Sequence, residues 1–329
     1  MNKRESEQLK LGLLTQALND PDKLKEAIEA RQALSRARQE AKAAQQPAPA
    51  VATTVQTAGK VVKLPPWAGE LRVCPSCVLR SALFGVVERG RRKYLERQVI
   101  AAWPDAAIRY TGGKLDQSDL DVWLTVLHIA REQTLGVQVS VTTHGLLKAM
   151  GRCTGKRDHE WLQGVLARLT ACAVEIIVGC KSYMGPLIQG VYRDEETGRY
   201  VLILNPDLVV LFEDNAFTRL EWEQRQGLHK DLAKWLHGYI LSHQATAKHP
   251  HRIGLERLRE LCGSDIERLG DFRKEVRAAM KELKDASVVT AWRITENDAL
   301  EVVRPPQKPQ LLEGKKSRRA RDSAPDGTG

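Results

Sequence analysis

Arg273 and Arg277 stand four residues apart in a charged stretch from Arg268 to Asp285, and their side chains suit one kind of chemistry. A guanidinium is a planar fork of N–H donors that pairs bidentately with the O6 and N7 acceptors of guanine in a major groove, discriminating against a wrong base by roughly 1–3 kcal/mol. Lysine ammonium groups more often serve phosphates. At about 100° per residue on a helix, Arg273, Lys274, Arg277, Lys281 and Lys284 fall on one side of an apolar stripe of Phe272, Val276, Ala279, Met280 and Leu283, and Asp271, Glu275 and Glu282 fall on the other. A helix that only faced water would mix signs at i and i+4, whereas an all-basic flank repels itself and so points to a polyanion. Arg273 and Arg277 are expected at base edges. Arg268 is a further candidate near the helix start, and Arg252 and Arg257 are expected at the backbone from preceding elements.

A weaker cluster lies upstream. Lys156, Arg157, His159 and Arg168 share a second helical stretch without forming one stripe, and the nearby turn Asp194-Glu195-Glu196 is acidic and should avoid phosphates. That region is expected to dock DNA lightly or to present a surface to protein partners.

Catalytic patterns are missing from the sequence. It contains no Gly-x-x-x-x-Gly-Lys-Ser/Thr phosphate loop, no His-Glu-x-x-His helix and no Gly-x-Ser-x-Gly elbow. Tyr110, Tyr183, Tyr192, Tyr200 and Tyr239 lie beside no paired-histidine cluster and read as packing or turn residues. Cys74-Pro75-Ser76-Cys77 has the spacing of half a zinc site, but a structural site needs four ligands and no second pair follows. The six cysteines are scattered and read as free thiols. No enzyme activity, metal or cofactor is expected.

The elements that must carry these residues come as two blocks in the same order. In the first, Ser118–Glu132 is helical in period, Val137–Val141 is a short strand, Thr142 or Thr143 caps a helix that Gly151 stops, and a second helix runs from about Lys156 to Cys172. Val174–Cys180 follows, then a hairpin pairing Leu187–Tyr192 with Tyr200–Leu204. In the second, Lys230–Gln244 is a helix, Leu255–Leu261 a short helix, Cys262-Gly263-Ser264-Asp265 a turn and Arg268–Asp285 the long helix. Ser287–Arg293 and Ala299–Val303 close it as a hairpin turned at Asn297-Asp298. Helix, turn, helix and hairpin is the winged-helix order. Trp67, Trp103, Trp123, Trp161, Trp222, Trp235 and Trp292 read as core or domain-seam anchors rather than as a stacking platform for single strands.

The expected fold class is α+β, mainly helical: tandem winged-helix domains with flexible N- and C-terminal tails. Residues 1–75 form a helical arm and flexible linker, 76–205 the first winged-helix domain, 206–304 the second, and 305–329 a disordered basic tail holding Lys315, Lys316, Arg318, Arg319 and Arg321. With 329 residues, 42% hydrophobic and 28% charged, the chain is long enough for two cores. Its net charge of +10 favours polyanions without choosing among DNA, RNA, acidic proteins and anionic membrane. No apolar run approaches the ~20 residues a bilayer needs, and the charged start is unlike a signal peptide, so a cytoplasmic location is expected.

Arg80-Ser81-Ala82-Leu83-Phe84, Tyr110-Thr111-Gly112 with Leu115, Asp119, Val122-Trp123, Val126-Leu127 and Ala130, then Leu166-Ala167-Arg168-Leu169, Val209-Val210-Leu211-Phe212 and Leu261-Cys262-Gly263-Ser264-Asp265 with Arg268 and Phe272-Arg273, stand in an order that resembles the TrfA family of plasmid replication initiators. The resemblance spans about Arg80 to Val303. It implies tandem winged helices that bind directly repeated origin sites (iterons) on double-stranded plasmid DNA, promote origin opening, and assist loading of the host replicative helicase with the host initiator protein as a further partner. It leaves a monomer–dimer equilibrium open. Family members can carry a Gln-x-x-Leu-Phe-like motif for the host sliding clamp just before the region matching Pro65-Pro66-Trp67; here that stretch reads Ala58-Gly59-Lys60-Val61-Val62, so clamp binding by that route does not carry over. The residues by themselves also admit a winged-helix transcriptional regulator, or an adaptor whose basic charge serves acidic proteins.

Overall fold

A computed structural model describes residues 63–306 except 88, 89, 91 and 195. Of the expected N-terminal arm and linker, residues 1–62 lie outside the described residues, as do the basic tail beyond 306 and Glu195 of the first hairpin turn, whereas Leu64, Val73 and Cys74 from the end of that expected arm pack in the first core.

The first part of the chain combines β1 (Leu71–Pro75), α1 (Ser76–Leu79), β2 (Phe84–Gly85), β3 (Tyr94–Ile100), β4 (Ala106–Gly113) and β5 (Leu115–Asp116) with α2 (Gln117–Ala130). α2 starts where it does because Asp116 and Asp119 form a reciprocal capping box, and it buries Leu120, Val122, Trp123, Leu124, Val126 and Leu127. Next come β6 (Val139–Thr142), α3 (Thr143–Ala149), α4 (Lys156–Ala171), β7 (Ala173–Val178), β8 (Lys181–Gly185), β9 (Gly190–Asp194) and β10 (Arg199–Ile203). A 3-10 segment, Pro206–Asn215, leads to β11 (Phe217–Glu221), which pairs antiparallel with β1. The remainder is α5 (Trp222–Gln226), α6 (Asp231–Leu241), β12 (His251–Gly254), α7 (Leu255–Leu261), α8 (Leu269–Asp285), β13 (Ala291–Ile294) and β14 (Ala299–Val303).

The repeat seen in the sequence is present as topology. β6-β10-β9 and β12-β14-β13 are both antiparallel sheets in which the strand before the helix pair joins the last strand of the closing hairpin. The short helix ends alike in both. After α3, Gly151 at φ +68° donates its N–H to the Lys148 carbonyl and Arg152 donates to Leu147; after α7, Gly263 at φ +62° donates to Glu260 and Ser264 to Arg259. A left-handed residue is needed to turn the chain there, and glycine adopts that conformation without a Cβ clash.

The described residues form a mixed α+β fold, in which a four-stranded antiparallel sheet, β3-β4-β7-β8, accompanies the helices of the first part. β3 escaped notice in the sequence because Lys93-Tyr94-Leu95-Glu96-Arg97-Gln98 alternates poorly. Its pairing with β4 is irregular between Leu95 and Gln98, where Arg97 sits at φ +45°.

Apolar side chains gather into two cores, one running from Leu64 to Trp222 and the other from Leu228 to Val302, with Val86 and Trp103 reaching across to the second. Residues 206–222 therefore pack with the first core, beyond the 205/206 boundary expected from the sequence, since β11 completes a sheet with β1. The contact between cores is polar and close. Arg225, fully buried, donates from Nε to Asp121 (2.6 Å), from Nη1 to the Lys234 carbonyl (2.9 Å) and from Nη2 to Gln117 Oε1 (3.0 Å). Trp235 Nε1 donates to the Ser81 carbonyl (3.0 Å), and Val86 N–H to the Cys262 carbonyl (2.7 Å). Gly85 allows that last approach, because a Cβ there would stand 3.1 Å from the Cys262 oxygen.

Candidate nucleic-acid interface

α8 is fixed by its apolar stripe: Phe272, Val276, Ala279, Met280 and Leu283 are all fully buried. Each large side chain so removed from water is worth about 1.5–3 kcal/mol, which sets the rotation of the helix and hence which charges face out. The turn before it is held by Arg259, whose guanidinium donates to the Ile266 (3.3 Å) and Glu267 carbonyls. The acidic flank turns toward α6: Glu282 Oε2 accepts from the backbone N–H groups of His229 (3.0 Å) and Lys230 (3.3 Å), and Glu275 pairs with Lys230 Nζ (2.9 Å). A carboxylate beside the N-terminus of a helix satisfies otherwise unpaired donors and the positive end of its dipole.

The basic flank is left outward. Among the described residues, the side chains of Arg268, Arg277, Lys281 and Lys284 are exposed and have no ion-pair or hydrogen-bond partner. Lys284 belongs with them although it was not among the residues singled out for contact. Lys274 is exposed and pairs with Asp271 (2.9 Å). Arg273 is differently placed: its Nε (2.9 Å) and Nη2 (2.5 Å) both donate to Oδ1 of Asp298, in the turn between β13 and β14. Arg252 is exposed and 3.8 Å from Glu301, which also accepts from Arg293.

Two of the basic residues picked from sequence face inward. Arg257 donates from Nη2 to the Ala102 carbonyl (2.7 Å) and from Nη1 to Glu260 (2.8 Å), so it ties α7 to the first core. Arg168 donates to Asp119 (2.6 Å from Nη2), a carboxylate with no exposure that also pairs with Arg92 (2.7 Å). Burial, and then the neighbouring Asp116, raise Asp119 above the ordinary carboxylate range despite both arginines. That leaves Lys156 and Arg157, exposed and unpaired among the described residues, at the start of α4, with His159 half-buried behind them. Arg152 stacks on Trp161, 3.8 Å from the ring centroid, and pairs with Asp158 (3.1 Å).

Several of the groups that could have suggested catalysis are packed away, although Tyr192, Cys153 and Cys180 are exposed. Cys74 and Cys77 are buried, and burial pushes the Cys77 thiol up to about 12. Tyr110 donates to the Gly113 carbonyl (2.8 Å) and Tyr183 to the Pro186 carbonyl (2.5 Å). Among the described residues no three His, Cys, Asp or Glu side chains converge as metal ligands, and no helix is long and apolar enough to cross a membrane.

Fold and surface together define the class: a chain of two strand–helix–helix–hairpin units on joined cores, the second carrying an outward cationic edge on its long helix. The chain belongs to the TrfA family, whose model, described as TrfA protein, matches residues 29–303. A plasmid replication initiator protein TrfA from Escherichia coli is 30% identical over 236 residues, which cover 69% of this chain and 60% of that protein. The chain thus spans less than two thirds of that relative's length. Among solved structures, domains 2 and 3 of RctB resemble 71% of this chain over 99% of theirs, with a TM-score of 0.49 and 12% identity. A Pi initiator protein in complex with iteron DNA resembles 58% of this chain over 95% of its own, with a TM-score of 0.44 and 13% identity.

Proposed function

We propose that this chain is a plasmid replication initiator, acting without catalysis in the cytoplasm, that binds directly repeated origin sites on duplex DNA and thereby promotes origin opening and loading of the host helicase, with the host initiator as a partner. The two strand–helix–helix–hairpin units act as tandem winged helices, divided between Trp222 and Leu228 where one core gives way to the other. The observation that carries the reading is the exposed run of Arg268, Arg277, Lys281 and Lys284, without partners among the described residues, at the start of and along the second helix of such a unit, in a chain of the TrfA family. The first unit contributes Lys156 and Arg157 at the start of α4 and binds more lightly. Membership of the family favours initiation over transcriptional regulation on the same scaffold.

The test pairs a binding assay with a maintenance assay. The full chain is titrated against duplex containing the direct repeats beside its own gene and against a scrambled duplex. A plasmid carrying the repeats and the gene is then introduced into a host that cannot otherwise maintain it. Tight, salt-sensitive binding to the repeats together with maintenance is expected. Equal affinity for both duplexes would remove the claim of specific binding, and specific binding without maintenance would remove the claim of initiation.

A further inference from the structure

One residue of the second unit joins three of its elements. The Asp298 carbonyl accepts the N–H of Leu255, the first residue of α7 (2.7 Å), and its own N–H donates to the Thr295 carbonyl (3.1 Å) across the β13–β14 turn. Its side chain takes both Nε and Nη2 of Arg273 from α8 on a single oxygen. Asp298 holds a left-handed backbone at φ +50°, and the two side chains are 32% and 34% exposed, so the pair sits at the rim of the surface rather than inside it. Held in this way, Arg273 keeps the N–H groups of Nη1 and one of Nη2 without a partner among the described residues. Its four neighbours Arg268, Arg277, Lys281 and Lys284 have no such restraint among the described residues.

We propose that Asp298 is the specificity-determining positioning residue of the duplex-binding surface: it aims the free edge of Arg273 at a base and withholds that charge from phosphates. The proposal rests on the reading of α8 as the DNA-facing helix. A mobile arginine beside a duplex is drawn to whichever phosphate is nearest and adds affinity for every sequence alike. A carboxylate that binds one edge of the guanidinium cancels that attraction, while a fixed fork still matches the O6 and N7 of guanine. The carboxylate therefore lowers binding to unrelated sequence more than binding to the cognate site.

The test uses the full chain, a duplex selected by that chain from a random pool, and a scrambled duplex of equal length. Asp298→Asn keeps a residue that tolerates the left-handed backbone, and Asp298→Gly removes the side chain at no backbone cost. Both should bind scrambled duplex more tightly, with a log–log salt slope steeper by about 0.9, the value of one added phosphate contact. The ratio of cognate to scrambled affinity should fall about tenfold, within the range of one lost arginine–guanine pair. Arg277→Ala, measured alongside, separates the two levels of the argument. Loss of binding in Arg277→Ala with an unchanged ratio and slope in both Asp298 variants would overturn the role of Asp298 alone; no change in any of the three would overturn the reading of α8 as well.

Discussion

Replacing both Arg277 and Lys281 by alanine gives the sharpest test of the α8 surface, because the structure allows the result to be worked out in advance. Both side chains are exposed and unpartnered among the described residues, so the fold should change in stability by no more than about 0.5 kcal/mol. If each meets a phosphate, each releases close to one counterion, and the log–log salt slope of duplex binding should become shallower by about 1.8. Across the 0.6 decade between about 50 and 200 mM salt, that difference amounts to about one decade in affinity. The variant should thus bind far more weakly than the parent at low salt, and the gap should close about tenfold toward high salt. Fluorescence anisotropy of labelled duplex over that range measures both lines. Should Arg277 read a base, the slope would still lose the lysine contact, and discrimination between cognate and mismatched duplex would drop by roughly 1–3 kcal/mol. Parallel lines with equal affinities would refute the reasoning, since neither Arg277 nor Lys281 could then be near the nucleic acid.

Three further outcomes follow from the interior. Arg225→Met should cost about 3–5 kcal/mol, because it removes the buried partner of Asp121 and three further donations, and urea unfolding should split into two transitions as the cores uncouple; a single transition at the parent's midpoint would contradict this. Arg168→Ala should lose about 1.5–3 kcal/mol of stability with its charged hydrogen bonds to Asp119, yet leave the salt slope of DNA binding unchanged; a shallower slope would return Arg168 to the interface. His237 is fully buried, neither ring nitrogen has a hydrogen-bond partner among the described residues, and burial followed by Arg225 depresses it to about 3. The unfolded chain, titrating near 6.5, then binds more protons than the fold, so the neutral ring's contribution is complete above about 6.5 and is lost toward 3, at about 1.4 kcal/mol per pH unit below about 6. His237→Leu should flatten that slope in urea midpoints taken at pH 7, 6 and 5, and an unaltered slope would place the titration elsewhere.

Local periodicity made the second unit legible to within a few residues, because α8 carries five buried apolar side chains at helical spacing and its neighbours end in glycine or a turn pair. It could not say where an arginine ends up once the chain folds back. Arg168 finds its acceptor 49 residues away and Arg257 finds a carbonyl 155 residues away, and from sequence alone both are merely basic residues on helices. β3 was hidden for a different reason: it is an edge strand of its sheet, and edge strands tolerate charged residues and irregular pairing that erase the period of two. Asp298 could be read as a turn residue, but nothing in the spacing of Arg273 and Asp298 announces that they meet.

The charge segregation that first drew attention to α8 has two halves with different causes. Glu275 and Glu282 are used by the fold itself, one pairing with the Lys230 side chain and the other with backbone donors at the start of α6. Acids on that flank are therefore required whether or not the protein touches DNA, and alone they would explain half of the pattern. Most of the basic flank has no such account: Arg273 and Lys274 are paired and Lys284 meets the dipole of the last turn, but Arg268, Arg277 and Lys281 have no partner among the described residues. α4, the corresponding helix of the first unit, shows the contrast, since its Arg168 is turned inward to Asp119 and only Lys156 and Arg157 remain outward at its start. A surface kept at a cost in self-repulsion on one copy of a repeated unit, and largely withdrawn on the other, is what unequal roles for the two units would require.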